Sequence, residues 1–178
     1  MTRLRAARRA ARAAAAGFLL AGCAGGPATA DTYRDPFAYC AAAGTVDAPD
    51  ARYTGPAVPP VVADGLRRAF NAPADAPIEV FTRGTSWRCM DGRVYACTVG
   101  ANLPCQARAD TSRTPRPAVV EFCRNNPTSD VVPLAVTGRE TVYQWRCQPS
   151  GPDIVRQLDT PDARGFLSSI WFRITPAR

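Results

Sequence analysis

The chain has 178 residues and carries 22 basic against 15 acidic side chains, a formal net charge of +7. It contains no histidine, and every basic residue is an arginine. The lack of histidine excludes Ser-His-Asp and Cys-His catalytic groups, and the lack of lysine excludes a Schiff base or a Ser-Lys pair.

The N-terminal segment has the pattern of an export signal. Residues 1–12 hold five arginines and no acid, and residues 13–20 contain only Ala, Gly, Phe and Leu. This apolar run is too short for a membrane-spanning helix, which needs about 20 residues. We therefore predict a signal peptide over residues 1–22. Without it, 17 basic and 15 acidic residues remain, a net charge of +2, so the sequence does not favour nucleic acid as a partner.

The signal peptide ends in Leu20, Ala21 and Gly22 followed by Cys23, and these residues resemble the lipobox of bacterial lipoproteins. The resemblance implies cleavage before Cys23, a diacylglycerol on its sulfur and an acylated amine. Because each buried methylene contributes about 0.8 kcal/mol, two or three acyl chains give a permanent membrane anchor. Ala24 stands where inner-membrane lipoproteins carry Asp, so we expect an outer-membrane anchor that faces the periplasm.

Two short helices are predicted near the start of the exported domain. Asp35 is a suitable N-cap and Pro36 suits the first turn of a helix that continues over 38–43 and ends at Gly44. A second helix is predicted over 61–70. The side chains expected to face the core are Val61, Leu66 and Phe70.

From residue 78 onward the pattern favours β structure. Asp91-Gly92 predicts a hairpin tip, and a second hairpin is expected around Gly138. The predicted strands are 78–89, 93–98, 131–136, 140–147, 154–158 and 166–174, with a helix at 117–124. The predicted fold is α+β: after a lipidated cysteine and flexible tether at 23–34, a small single domain at 35–178 with a mostly antiparallel sheet, short helices and disulfides.

Six cysteines remain besides Cys23, and an even number in an exported chain predicts three disulfides. They are Cys40, Cys89, Cys97, Cys105, Cys123 and Cys147. The hairpin register places Cys89 opposite Val94, which argues against a bond between Cys89 and Cys97. We expect Cys123 to pair with Cys97 or Cys105. Zinc ligands are usually two to four residues apart and often include histidine, so we expect neither a metal nor a cofactor.

The tripeptide Trp-Arg-Cys occurs twice, at 87–89 and 145–147, each time before a turn that contains glycine. Two interpretations stay open. The copies could belong to related half-units, or each tryptophan could cover the apolar layer while each cysteine cross-links it. The second interpretation is favoured.

The segment 100–117 has no helix or strand period and is long for a connection, which is typical of binding loops. With the following helix, it offers four arginines as candidate ligands of an anionic glycan, a lipid head group or a carboxylate: Arg108, Arg113, Arg116 and Arg124. The alternative is a solvated loop fixed by disulfides, with Asp110 and Glu121 partly neutralising its charge.

Carboxylates are the remaining candidates for catalysis, but they are few. The chain has three glutamates, Glu79, Glu121 and Glu140, and its aspartates lie mostly in turns and helix caps. We therefore expect a protein that is not an enzyme.

Longer motifs give a second resemblance. The runs WRCMDGRVYACTVGANLPC, EFCRNNP and VPLAVTGRETVYQWRC resemble a group of uncharacterised exported proteobacterial proteins. The resemblance implies a single disulfide-containing domain and transfers no site residue. Two functions are expected for such a domain: a binding or structural module for an envelope glycan or protein, or a small inhibitor of a lytic enzyme or protease.

Overall fold

The computed structural model describes residues 31–99 and 102–176. The signal peptide and Cys23 lie outside the described residues. The fold is α+β, a small single domain with short helices and antiparallel sheets. Its helices are α1 (Pro36–Ala43), α2 (Pro60–Ala69), α3 (Glu79–Thr82), α4 (Pro117–Asn125) and α5 (Leu134–Thr137). Its strands are β1 (Thr85–Met90), β2 (Arg93–Thr98), β3 (Tyr143–Gln148), β4 (Gly151–Gln157) and β5 (Phe172–Arg173).

The strands form two separate sheets. In one, β2 lies between β1 and β5; the other contains only β3 and β4, and every pairing is antiparallel. Within the described part of the chain, no helix is long and apolar enough to span a membrane.

Helix α1 begins and ends as the sequence predicts. The Asp35 carboxylate accepts hydrogen bonds from the backbone N–H groups of Phe37 and Ala38, at 3.3 and 3.2 Å. Gly44 ends the helix with φ of 74° and donates its N–H to the carbonyl of Cys40 at 2.9 Å.

The folded domain also includes Tyr33, which the sequence analysis assigns to the tether. The N–H of Tyr33 donates to the carbonyl of Arg52 at 2.7 Å.

The buried face of α2 differs from the prediction. Val62 and Leu66, one turn apart, are fully buried, whereas Val61 is only half-buried. Phe70 follows the end of the helix and is 42% exposed. Its ring packs on Phe172 with 4.8 Å between centroids, at the edge of the core.

Gly65 allows α2 to pack closely on the C-terminal segment. A Cβ atom at this position would lie 2.4 Å from Cγ2 of Ile174, which is buried. Gly65→Ala is therefore expected to lower the free energy of unfolding by about 1 kcal/mol, because overpacking outweighs the gain in helix propensity. Urea unfolding measures the change. A variant as stable as the wild type would show that Ile174 moves without cost.

The first hairpin is confirmed in register but not in length. Cys89 lies opposite Val94, and the turn at Asp91-Gly92 has positive φ at both residues, 51° and 72°, as a type I′ turn requires. The predicted strand over 78–89 is wrong at its start, because α3 occupies Glu79–Thr82. Apolar residues in such a short run suit a helical turn as well as a strand.

The second predicted hairpin is wrong in position. Residues 131–136 form no strand; Leu134–Thr137 is helix α5, which starts after Pro133. Strand β3 pairs instead with β4 around Pro149-Ser150. The predicted strand 166–174 is confirmed only at β5, because residues 168–170 form a 3₁₀ turn. Helix α4 is confirmed, and the predicted strand 154–158 is confirmed up to Gln157 as the second half of β4.

The cysteines form three disulfides: Cys40–Cys89, Cys97–Cys105 and Cys123–Cys147. The exclusion of a bond between Cys89 and Cys97 is confirmed, but the expected partner of Cys123 is wrong. Helix α4 places Cys123 beside the end of β3, where its Sγ lies 3.9 Å from the carbonyl oxygen of Arg146. Cys97 is already bonded to Cys105, eight residues away.

Both Trp-Arg-Cys copies occupy the same local arrangement. In each, a helix that begins with proline presents a cysteine to the strand, and the segment after the helix hydrogen-bonds to the strand cysteine: Val46 to Cys89, and Ser129 to Cys147. The tryptophans, Trp87 and Trp145, are 3% and 5% exposed. The burial of both indoles and the bonding of both cysteines fit the interpretation in which tryptophan covers the apolar layer and cysteine cross-links it, and the shared arrangement fits related half-units equally.

Candidate binding cleft

The four predicted arginines have different partners within the chain. Arg108 pairs with Asp47, Arg116 with Asp110 and Glu140, and Arg124 with Glu121. The guanidinium of Arg113 lies 5.2 Å from the centre of the Tyr143 ring. Because carboxylates of the chain already neutralise three of the arginines, the structure supports the solvated-loop alternative for most of 100–117; Gly100 and Ala101 lie outside the described residues.

A cleft of about 520 Å³ combines residues from distant parts of the chain. We call it the β1 cleft. It is lined by Asp47, Ala48, Pro49, Ala57, Thr85, Ser86, Trp87, Cys105, Gln106, Arg108, Phe166 and Trp171. Its volume lies within the range of about 300–1,000 Å³ that is typical of small-molecule sites.

Bonds within the protein fix three segments of the β1 cleft. Backbone hydrogen bonds between Val46 and Cys89, at 3.1 and 3.0 Å, fix the loop that carries Asp47 against β1. The indole N–H of Trp87 donates to the carbonyl of Ala57 at 2.8 Å. The disulfide from Cys105 to β2 fixes the segment that carries Gln106 and Arg108. The cleft is therefore built before any ligand arrives.

Asp47 organises the charges at the β1 cleft. Its carboxylate accepts hydrogen bonds from Arg164, at 2.8 and 2.9 Å, and from Arg108, at 2.7 Å. The hydrogen bonds from Arg164 lower the pKa of Asp47. Burial raises this pKa, but the hydrogen bond from Arg108 lowers it further, so the pKa lies far below its ordinary value. The carboxyl therefore stays ionised and cannot act as a general acid near neutral pH.

A stack of aromatic rings and guanidinium groups supports the same cleft. The guanidinium of Arg88 lies 4.1 Å from the Trp171 ring centre and 4.5 Å from that of Phe166, and the guanidinium of Arg108 lies 4.0 Å from Phe166. Arg88 is 1% exposed and pairs with Asp162, whose carboxylate also accepts from backbone N–H groups of the same turn. This buried ion pair fixes two rings of the cleft wall.

Neutral polar groups lie where the β1 cleft meets a second depression of about 420 Å³. The two share Thr85, Ser86, Cys105 and Gln106. The side-chain amide of Gln106 donates to the Ser86 hydroxyl at 3.3 Å. Thr85 and Ser86 of β1, together with Gln106, therefore place three uncharged polar side chains at this junction.

Sequence reasoning located only part of this cleft. Cys105, Gln106 and Arg108 belong to the predicted segment, but the other nine lining residues come from elsewhere, and no local spacing connects Asp47 with Trp171. The first Trp-Arg-Cys copy was the available signal, since it contains Trp87 of the cleft and Arg88 beneath it. Among the described residues, no group of three His, Cys, Asp or Glu side chains is arranged to bind a metal ion.

A scan against protein-family models and searches of curated proteins and solved structures find no match to this chain.

Proposed function

We propose that the protein is a non-catalytic binding module of the cell envelope, anchored in the outer membrane through an acylated Cys23 and facing the periplasm. Support for the location comes from the lipobox resemblance of residues 20–23 and from three cross-links that need an oxidising compartment. Support for binding comes chiefly from the rigid β1 cleft.

The chemistry of the β1 cleft favours binding over catalysis. Asp47 is the one carboxylate among the described lining residues, and two arginines keep it ionised. A glycosidase-type mechanism needs a second carboxyl group nearby. The proposed task is therefore to bind an envelope component at the membrane surface.

Lipidation is tested with Cys23→Ala in the native host. We expect the variant to lose the acyl mass and to move from the membrane fraction to the soluble fraction, because its anchor is removed. Intact-mass spectrometry and fractionation measure both changes. Ala24→Asp is the matched control: it keeps the acyl groups and is expected to shift the protein to the inner membrane. A Cys23→Ala product that stays with the membrane contradicts the anchor.

Binding is tested by retention of the purified domain on fractionated envelope components. We expect retention that weakens when Gln106 in the β1 cleft is changed to alanine and persists when Gln144, in β3, is changed in the same way. Capture of a hydrolase that loses its activity would favour the inhibitor instead. If no substitution in the cleft changes the retention, the binding surface lies elsewhere on the domain.

A further inference from the structure

We propose that the β1 cleft binds an extended peptide with an acidic side chain, and that the peptide adds as a strand to the outer edge of β1. This inference rests on the proposed binding function and specifies its ligand. Three observations carry it: backbone groups of β1 that lack partners, a break in the pairing of the adjacent loop, and a net positive charge at the cleft.

Strand β1 lies at the edge of its sheet, with β2 on one side only. On the outer side, Cys89 exchanges backbone hydrogen bonds with Val46, at 3.1 and 3.0 Å. Because alternate residues of a strand turn their N–H and C=O groups to the same side, those of Trp87 and Thr85 also point away from β2. No described segment forms a backbone hydrogen bond with these four groups, and both residues line the β1 cleft.

The second Trp-Arg-Cys copy has a partner at the corresponding edge. There Val132, three residues after Ser129, donates its N–H to the carbonyl of Trp145 at 2.8 Å. In the first copy, the residue three positions after Val46 is Pro49, and proline has no N–H to donate. The first loop therefore pairs with the strand cysteine but not with the strand tryptophan. Pro49 lines the β1 cleft, which lies at this break in the pairing.

A strand-like ligand supplies the missing hydrogen bonds. Trp87 is 3% exposed, so water gives its backbone groups little compensation, and unpaired buried backbone groups are unfavourable. An extended peptide presents N–H and C=O groups at the spacing of a strand and can exchange two hydrogen bonds with Trp87 and two with Thr85. In the antiparallel orientation, it continues the pairing that Val46 begins at Cys89.

The charge at the cleft favours an acidic side chain on this peptide. Asp47, Arg108 and Arg164 carry one carboxylate against two guanidinium groups, a net charge of +1. The Arg108 side chain is 51% exposed, and its guanidinium donates to Asp47 and to the carbonyl of Arg164. Because a guanidinium has five N–H groups, donors remain for a further carboxylate. An acidic side chain can therefore bind Arg108 without displacing Asp47.

Isothermal titration calorimetry with acetyl-Thr-Val-Glu-Val-Thr-amide tests the strand pairing, and we expect saturable binding. N-methylation of the central glutamate blocks one edge of the peptide, and N-methylation of both valines blocks the other. We expect one methylated peptide to bind about tenfold more weakly and the other to stay within about twofold of the parent peptide. If the two methylated peptides bind alike, strand addition is wrong.

Thr85→Pro and Thr85→Ala locate the pairing on β1. Both variants lose the hydroxyl that donates to the carbonyl of Phe81 at 2.7 Å, but only proline also removes the N–H at the outer edge. Proline is tolerated at the first residue of a strand, which Thr85 is. We expect Thr85→Pro to bind the peptide about tenfold more weakly than Thr85→Ala. Equal affinities would contradict pairing at this edge, and the methylated peptides decide the question if the proline variant does not fold.

A second peptide, with glutamine in place of the central glutamate, tests the charge. We expect the wild type to prefer the glutamate peptide about tenfold, and Arg108→Gln to lose that preference. The matched control is Arg124→Gln, which makes the same charge change outside the cleft and is expected to keep the preference. A wild type without the preference, or a preference that survives Arg108→Gln, overturns the acidic ligand.

The outcomes separate this inference from the proposed function. If neither peptide binds but envelope retention still depends on Gln106, the peptide ligand is wrong and the binding function stands. If no envelope component is retained and neither peptide binds, both proposals fail.

Discussion

Replacing Cys40 and Cys89 together by alanine is expected to lower the free energy of unfolding by about 4 kcal/mol, the largest loss among the disulfides. A cross-link stabilises mainly by restricting the unfolded chain, and this effect grows with the length of the closed loop. The sequence separations are 49 residues for Cys40–Cys89, 24 for Cys123–Cys147 and eight for Cys97–Cys105. The same relation gives about 3.4 kcal/mol for the second and about 2.5 kcal/mol for the third.

Urea unfolding of the three double-alanine variants measures this order. Both sulfurs are replaced in each variant, so no free thiol remains to form a new cross-link. If the Cys40/Cys89 variant is unfolded without denaturant, the other two still rank the loop-length effect against each other. If the Cys97/Cys105 variant loses more stability than the Cys123/Cys147 variant, the explanation from the unfolded chain is wrong. The disulfides would then stabilise the protein mainly through contacts in the folded state.

Local signals in the sequence identified several elements correctly because one residue fixes the backbone. Asp35 caps α1 through its own carboxylate, and Asp91-Gly92 turns the first hairpin through positive φ. The start of α4 at Pro117 is of the same kind. The predictions are wrong for elements that depend on tertiary contacts. The apolar residues of α3 and α5 have a composition typical of strands, and only packing decides that they form helices.

The candidate site was less predictable than the fold. Gln106 and Arg108 belong to the segment the sequence singled out, but Asp47 and Arg164 are 117 residues apart and meet only in the folded protein. The arginines predicted to bind anions illustrate the difference: the sequence names Asp110 and Glu121 as nearby neutralising groups, but Asp47 and Glu140, which pair with Arg108 and Arg116, come from other segments. Charge compensation over long sequence distances leaves no local pattern.

The second large effect is expected at the buried ion pair. Asp162→Asn should lower the free energy of unfolding by about 3–5 kcal/mol, because it leaves the guanidinium of Arg88, 1% exposed, without a counterion. Asparagine keeps an oxygen for the backbone N–H groups of Arg164 and Phe166 that now donate to Asp162, so the change removes mainly the charge. Urea unfolding at pH 7 measures the loss.

One control variant isolates the effect of the charge. Arg88→Met/Asp162→Asn removes both members of the pair and is expected to be more stable than Asp162→Asn alone, since no unpaired charge stays buried. A double variant as unstable as the single one would show that the stacking of Arg88 on Phe166 and Trp171, not its charge, dominates.

Lowering the pH tests the ion pair between Arg88 and Asp162 independently. Burial raises the pKa of Asp162, but the hydrogen bonds from Arg88 and from the backbone outweigh it and hold the pKa below its ordinary value of 3.8. A carboxyl with a lowered pKa in the folded state contributes stability above its unfolded pKa and loses it as the pH falls through the folded value. The wild type should therefore weaken progressively below about pH 4, and Asp162→Asn should show less of that decline. Because Arg88 supports two rings of the β1 cleft, ligand binding should also weaken in the same acid range. Unfolding curves and tryptophan fluorescence, recorded together from pH 7 to 3, measure whether stability and binding decline at the same pH.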